Sequence, residues 1–140
     1  MLDHRDIVEI QQLEAFVHHA VDHDDQSLFH LAFTEDAVFD STGCGQGGSR
    51  FEGIEAIKAF FAPGKPPHPM LHHMTNCYVF EQDGEVKVKM KWLVPNPENE
   101  SFFGGENTDI VVRTPDGWRV RERRAVIKYP KSLLAALGLA

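Results

Sequence analysis

The chain has 140 residues, of which 42% are hydrophobic and 25% are charged, a balance typical of one globular domain. Its formal net charge of −7 at pH 7 argues against a nucleic-acid partner, because phosphate binding needs a basic surface. We see no apolar run long enough for a membrane span, no signal-peptide pattern and, with two cysteines, no disulfide framework. We therefore expect one cytoplasmic domain over residues 1–140 whose partner is a small molecule.

Helices and one strand are predicted in the first part of the chain. Apolar residues recur every three or four positions over 6–21, which is the pattern of an amphipathic helix. A short second helix is predicted at 27–33, and residues 34–36 are expected to end it before a strand at 37–40. A third helix is predicted at 54–62. The glycine-rich segment that precedes it is expected to be a hairpin or lid loop.

The second half of the chain is predicted to be β structure. Four strands in two hairpins are expected at 70–81, 85–94, 102–114 and 118–129. In the second of them, apolar residues alternate with Lys87, Lys89 and Lys91, which predicts one buried and one solvated face. The tail, 131–140, is expected to form a short amphipathic helix. Helices followed by strands indicate an α+β fold, with a curved antiparallel sheet packed against three N-terminal helices around an interior pocket.

A pair of histidines, His72 and His73, enters the first of these four strands. Imidazole exchanges protons near neutral pH, and Asp22, at the end of the first helix, could orient one of the two rings as a general base. Successive residues of a strand face opposite sides, so one histidine is expected to face the pocket.

The end of the first helix has a second interpretation, as a metal site. Residues at i and i+4, such as His19 and His23, share a helix face. The candidate ligands are His18, His19, His23, Asp22, Asp24 and Asp25. We favour a solvated acidic helix end and predict no metal. Near the other end of the chain, Arg119, Arg121 and Arg123 are predicted to share one face of the last strand.

Several segments together resemble the SnoaL-like branch of the nuclear transport factor 2-like superfamily. They are Val21-Asp22, LAFTEDAVFD at 31–40, FEGIEAI at 51–57, HHMTN at 72–76 and DGWRV at 116–120. The resemblance covers nearly the whole chain and implies an α+β cone fold.

Within that superfamily the sequence looks closest to the group containing scytalone dehydratase, hexachlorocyclohexane dehydrochlorinase and bile-acid dehydratase. The family aspartate falls on Asp22, and its histidine falls on His72, with His73 as the alternate. The dehydrochlorinase also has an arginine that matches Arg123. The resemblance implies that His72 abstracts a proton next to a carbonyl or leaving group, that Asp22 fixes its tautomer, and that Arg123 stabilises the leaving group or developing charge.

Two positions depart from the family pattern. Val17 stands where these enzymes carry tyrosine or lysine, and Asn96 stands where scytalone dehydratase uses a second histidine. The residues predicted to contact substrate are Val17, Phe39, Phe60, Trp92, Asn96 and Phe103.

The resemblance implies a lyase or isomerase that acts on a hydrophobic, cyclic substrate without a cofactor. The alternative is a non-catalytic protein of the same fold, either a ligand-binding protein or a small structural subunit of an aromatic-ring oxygenase, because the β-subunits of aromatic-ring dioxygenases use this fold. Exposed sheet faces favour a homodimer or homotrimer.

Overall fold

The computed structural model describes residues 1–23, 25–62, 71–96 and 99–139. Its helices are α1 (His4–Asp22), α2 (Phe29–Ala32, which follows a 3-10 turn at Gln26–Leu28), α3 (Ile54–Phe60) and α4 (Lys131–Ala136). Its strands are β1 (Phe33–Gly43), β2 (Arg50–Glu52), β3 (His73–Gln82), β4 (Glu85–Pro95), β5 (Phe102–Thr114) and β6 (Gly117–Tyr129). None of the helices in these ranges is both long and apolar enough to cross a membrane.

Helix α1 begins at a reciprocal cap. The Asp3 side chain accepts a hydrogen bond from the backbone N–H of Asp6, and the Asp6 side chain accepts one from the backbone N–H of Asp3. This arrangement satisfies two backbone donors that a helix start otherwise leaves unpaired. One face of α1 is buried against the sheet through Ile10, Leu13 and Val17.

The six strands form one curved sheet in the order β2-β1-β6-β5-β4-β3. All neighbouring pairs are antiparallel except β1 and β6, which run parallel. Buried residues of the inner sheet face, including Val88, Val111 and Val120, pack with those of the helices into one core. The predicted α+β fold, a curved sheet with N-terminal helices, is therefore confirmed.

Strand β1 is the main local departure from the prediction. Residues 34–36 continue the strand instead of ending a helix, because β1 starts already at Phe33, which pairs with Val120 of β6. Partners distant in sequence thus override a local turn preference. The glycine-rich segment joins β1 to the short strand β2 in an antiparallel hairpin, one of the two alternatives predicted for it, and Phe51 pairs with Phe39 there. The sequence did not define β2 itself.

Element ends also differ from the predictions. Helix α2 is shorter than 27–33, α3 ends at Phe60 and α4 ends at Ala136. Strand β3 begins at His73, and the predicted start of this strand at Met70 lies outside the described residues.

The last strand corrects the prediction that three arginines share one face. Ile110 pairs with Glu122 and Val111 pairs with Val120, so Arg121 is an extra residue on β6. Such a bulge reverses the alternation of side chains beyond it. Arg123 is consequently buried on the inner face, whereas Arg119 is in register with Val112 on the other face.

Candidate active site

Asp22 and His72 form a hydrogen-bonded pair between the end of α1 and the start of β3. Asp22 Oδ1 accepts a hydrogen bond from His72 Nδ1 at 2.5 Å, and Oδ2 accepts one from the backbone N–H of His72 at 2.7 Å. The two side chains are only 12% and 15% exposed. Because a carboxylate only accepts, Nδ1 of His72 carries the proton and its Nε2 keeps a free lone pair.

His73 occupies a different environment from its neighbour. Its side chain is exposed, and its Nδ1 lies 3.0 Å from the backbone oxygen of Leu71, which accepts the hydrogen bond. Of the two histidines, only His72 lines the cavity described next.

A cavity of about 350 Å³ lies between the helices and the inner face of the sheet, within the size range of small-molecule sites. Its aromatic wall consists of Phe39, Phe60, Phe61, Trp92 and Phe103. Its polar wall includes His18, Ser41, His72, Asn107 and Arg123. Loop residues Cys44 and Gln46 also line it, and burial raises the pKa of the Cys44 thiol, which makes this thiol a weak nucleophile. Val17 is fully buried in the core, and neither it nor Asn96 lies among the lining residues that the structure describes.

Trp92 reaches the cavity because the adjacent strand leaves room for its ring. A Cβ atom at Gly105 would lie 2.8 Å from Trp92 Cζ2 and 2.0 Å from the Val126 oxygen, closer than real contacts allow. The absence of a side chain at Gly105 therefore lets the indole approach β5 closely. The Trp92 ring centroid lies 6.3 Å from that of His72.

Arg123 is held by two buried carboxyl groups beneath the cavity. Its Nε and Nη2 donate to Asp109, with Nη2 to Oδ2 at 2.6 Å, and Nη2 also donates to Glu14 Oε2 at 2.5 Å. Burial alone would lower the pKa of Arg123, but Asp109 and Glu14 raise it overall. Burial, followed by the charge of Asp109, raises the pKa of Glu14 well above its ordinary value. Within this group, Arg123 makes three hydrogen-bond contacts to Asp109 and one to Glu14, and burial favours the protonated form of Glu14.

The sequence matches the family described as SnoaL-like domain over residues 3–124. The chain belongs to the SnoaL-like family. No curated protein matches this SnoaL-like protein significantly.

Similar solved structures include three from Novosphingobium aromaticivorans. An NTF2-like protein with a cystatin-like fold is 21% identical, with 95% of this chain and 88% of that one covered and a TM-score of 0.75. A candidate aromatic ring hydroxylase is 28% identical, with 93% and 94% covered and a TM-score of 0.72. A candidate scytalone dehydratase is 17% identical, with 88% and 84% covered and a TM-score of 0.72. The resemblance to the nuclear transport factor 2-like superfamily is thus confirmed at the level of the fold.

A second imidazole of this SnoaL-like protein, His18, lies beside the first. Its ring centroid is 5.3 Å from that of His72, and its Nδ1 donates to the backbone oxygen of Glu14 at 2.8 Å. Burial, followed by the charge of Arg123, lowers the pKa of His18 to about 3. His18 is therefore neutral, with its proton on Nδ1 and a lone pair on Nε2.

The other candidate metal ligands near the end of α1 include His19 and His23, whose ring centroids lie 5.9 Å apart. His23 Nδ1 donates to the backbone oxygen of His19, and Asp25 accepts from Ser27. No group of three or more potential metal-ligating side chains exists within the ranges listed above, and Asp24 lies outside them.

Sequence reasoning missed Glu14, Asp109, Asn107 and the position of His18. On α1, Glu14, His18 and Asp22 follow one another at four-residue spacing, so they form one ridge of the helix beside its apolar stripe. On β5, the buried Asn107 and Asp109 alternate with half-buried residues and precede the buried Val111. All of these residues are polar but stand at positions where the sequence periodicity predicts core residues. That mismatch is the signal by which the sequence could have identified them.

Proposed function

We propose that the protein is a small-molecule lyase or isomerase of the dehydratase type, with His72 as its general base and Asp22 as the group that orients it. The observation that supports this most directly is the hydrogen bond between Asp22 and His72 at the wall of an aromatic cavity. A base of this kind needs no cofactor for proton abstraction next to a carbonyl or leaving group.

In the proposed step, His72 Nε2 takes a proton from a carbon atom of the substrate. In a lyase, the electron pair of the broken C–H bond forms a double bond, and the leaving group departs with its own bonding pair. In an isomerase no group leaves, and the same electron pair is delocalised onto an adjoining carbonyl group. Asp22 stabilises the resulting imidazolium through its hydrogen bond to Nδ1. The imidazolium then returns the proton to the departing oxygen in a lyase, or to another carbon atom in an isomerase.

Arg123 is proposed to donate a hydrogen bond to the substrate while its charge is balanced by Asp109. Its Nε and Nη2 are occupied by Asp109 and Glu14, whereas its Nη1 forms no hydrogen bond to the described residues. Arg123 also lines the cavity. Nη1 is therefore the atom that we expect to contact a developing negative charge or a leaving group.

The substrate is proposed to be hydrophobic and cyclic. Phe39, Phe60, Trp92 and Phe103, all on the cavity wall, offer flat apolar surfaces that suit a ring. The only arginine or lysine among the cavity-lining residues that the structure describes is Arg123, whose charge is already paired, so a strongly anionic substrate would find no free cation there.

The test is a screen of cyclic ketones and of halogenated or hydroxylated ring compounds for elimination and double-bond migration. For any compound that turns over, we expect His72→Ala to lower kcat by about 10²–10⁴-fold, the usual contribution of general acid–base catalysis. Asp22→Ala should lower it as well, because the imidazole then loses its fixed tautomer. His73→Ala is the matched control and should leave kcat unchanged, because His73 is exposed. Equal rates in all four proteins would refute the proposed base.

A second candidate function is a non-catalytic one, as a ligand-binding protein or as a small subunit of an aromatic-ring oxygenase. The structural similarity to a candidate aromatic ring hydroxylase, at 28% identity, favours considering it. Co-expression with the large subunit of an aromatic-ring oxygenase would discriminate between the enzyme and the structural subunit. Only a structural subunit should co-purify in fixed stoichiometry and be unaffected by His72→Ala.

We also propose that the protein forms a homodimer or homotrimer. Large apolar side chains, among them Tyr78, Leu93 and Tyr129, are exposed on the sheet.

A further inference from the structure

His18 lines the cavity, and only one of its two ring nitrogens has a hydrogen-bond partner among the described residues. Its Nδ1 proton is committed to the backbone oxygen of Glu14, four residues earlier on the same helix. Its Nε2, on the opposite edge of the ring, forms no hydrogen bond to the described residues, and the side chain is part of the cavity wall. A neutral imidazole fixed in this way offers only an acceptor to a ligand.

The surroundings of His18 keep it an acceptor. Arg123 lies close enough to oppose a second positive charge, and burial opposes it more strongly, so the ring stays neutral through the pH range of most enzymes. His72, by contrast, has a carboxylate behind its Nδ1. The two neighbouring imidazoles therefore differ in the partner of their Nδ1–H, a carboxylate for His72 and a backbone oxygen for His18.

We propose that His18 Nε2 is a specificity-determining contact that selects cyclic ligands bearing a neutral hydroxyl group, such as ring alcohols and phenols. This inference rests on the proposed function, because the same cavity would hold the substrate. The ligand hydroxyl donates its hydrogen to His18 Nε2. If the ligand carries, in place of the hydroxyl group, a substituent that cannot donate a hydrogen bond, the lone pair of His18 Nε2 has no partner.

Asn107 supplies a second polar contact near the same ligand. Its amide lines the cavity, forms no hydrogen bond to the described residues, and has its Oδ1 fully buried. No hydrogen bond from the Asn107 side-chain nitrogen to the described residues is present either. The hydroxyl oxygen, having given its hydrogen to His18, can therefore accept one from this nitrogen.

The experiment compares two probes of nearly equal size, 2-naphthol and 2-fluoronaphthalene, by titration calorimetry at pH 7. Neither aromatic probe can undergo elimination, so only binding is measured. We expect the wild-type protein to bind 2-naphthol about tenfold more tightly, a ratio within the range that one satisfied hydrogen bond provides. His18→Phe should abolish this preference while retaining affinity for 2-fluoronaphthalene, whereas His18→Gln, which restores an acceptor oxygen, should recover part of it.

Phe103→Leu is the control variant, because it alters the apolar wall and should weaken both probes alike. Retained binding of 2-fluoronaphthalene shows that a variant is folded. If His18→Phe does not fold, the ¹⁵N chemical shift of His18 Nε2 in the wild type decides, since 2-naphthol should move it and 2-fluoronaphthalene should not.

The proposal is overturned if the wild-type protein binds neither probe, if it shows no preference, or if the preference survives in His18→Phe. These outcomes are independent of the proposed base. A cavity that selects hydroxyl groups could lack turnover, and an enzyme whose rate depends on His72 could ignore the hydroxyl group.

Discussion

The two imidazoles at the cavity differ because of the atom that each Nδ1–H contacts. His72 donates to a carboxylate oxygen of Asp22, whereas His18 donates to a backbone oxygen and is more deeply buried. A carboxylate partner favours a protonated ring during a reaction, and burial disfavours it. Identical side chains 5.3 Å apart, measured between ring centroids, can therefore carry separate functions.

The buried neutral His18 predicts acid sensitivity of the fold. Its pKa is lowered to about 3 in the folded state, against an ordinary value of 6.5, so the unfolded chain binds a proton that the folded protein does not. The stability that His18 contributes is present above pH 6.5 and is lost as pH falls toward 3. From these two pKa values, the loss between pH 7 and pH 5 is about 2 kcal/mol.

Urea unfolding at both pH values measures this contribution. Between pH 7 and pH 5, the free energy of unfolding should decrease in both the wild type and His18→Leu. We expect the decrease to be about 2 kcal/mol smaller in His18→Leu, which lacks the buried imidazole. His19→Leu, at an exposed neighbouring position, is the control and should follow the wild type. Parallel losses in all three proteins would show that His18 is not the group responsible.

At the scale of elements, Arg123 connects α1 to the sheet through hydrogen bonds. Glu14 comes from α1, Asp109 from β5 and Arg123 from β6, and their side chains meet in a buried group. Because the pKa of Glu14 is raised, the folded protein favours the protonated form of this side chain. The stability that Glu14 contributes is therefore present below pH 4.5 and is lost as pH rises through its folded-state pKa. A neutral side chain of the same shape should therefore be tolerated at position 14.

Two substitutions that each replace one carboxyl group by an amide test this asymmetry. Glu14→Gln should change the free energy of unfolding at pH 7 by less than about 1 kcal/mol, because it mimics the protonated acid. Asp109→Asn should lower it by roughly 3–5 kcal/mol, because the buried charge of Arg123 then lacks its counterion. Denaturant titration gives both values, and an equal loss in the two variants would mean that Glu14 is ionised.

The elements that periodicity defines were predictable from the sequence. The amphipathic pattern located α1, and the alternation of Val88, Met90 and Trp92 with lysines located β4 and its buried face. Strand β2 and the start of β1 were not predictable in the same way, because their hydrogen bonds go to partners far away in the chain. The bulge at Arg121 is likewise a property of the β5–β6 pairing.

For the candidate site, the sequence was sufficient to predict the Asp22–His72 pair but not all of the residues that surround it. The structure brings Asp22 next to His72 across 50 positions of sequence, a contact that the family resemblance implied. Spacing alone could not show that Glu14 and Asp109 would enclose Arg123, because burial of three ionisable side chains depends on tertiary packing. Val17 and Asn96 were assigned to the pocket from family positions, and neither lies on the wall that the structure describes.

At the scale of the whole molecule, the outer face of the sheet combines lysines with large apolar side chains. Lys89 and Lys91 are exposed on β4, and Tyr78 of β3 is in register with Lys89. Leu93 and Tyr129 are both paired with Gly104 and are also exposed. Exposed apolar side chains grouped on one face are typical of association surfaces, and the same residues scattered singly would not be.

We expect this face to be covered in solution by further copies of the chain. Light scattering coupled to size-exclusion chromatography should give two or three times the 15.8 kDa mass of one chain. Tyr78→Lys combined with Leu93→Lys should shift the protein to the single-chain mass, because added charges beside Lys89 and Lys91 remove apolar contact area and repel one another. Leu31→Lys, at an exposed position outside the sheet, should leave the mass unchanged, which separates loss of this interface from a general effect of added charge. A wild-type mass of 15.8 kDa at all concentrations would contradict the proposed oligomer. The cavity would not be affected, because it lies on the opposite face of the sheet and its lining comes from one chain.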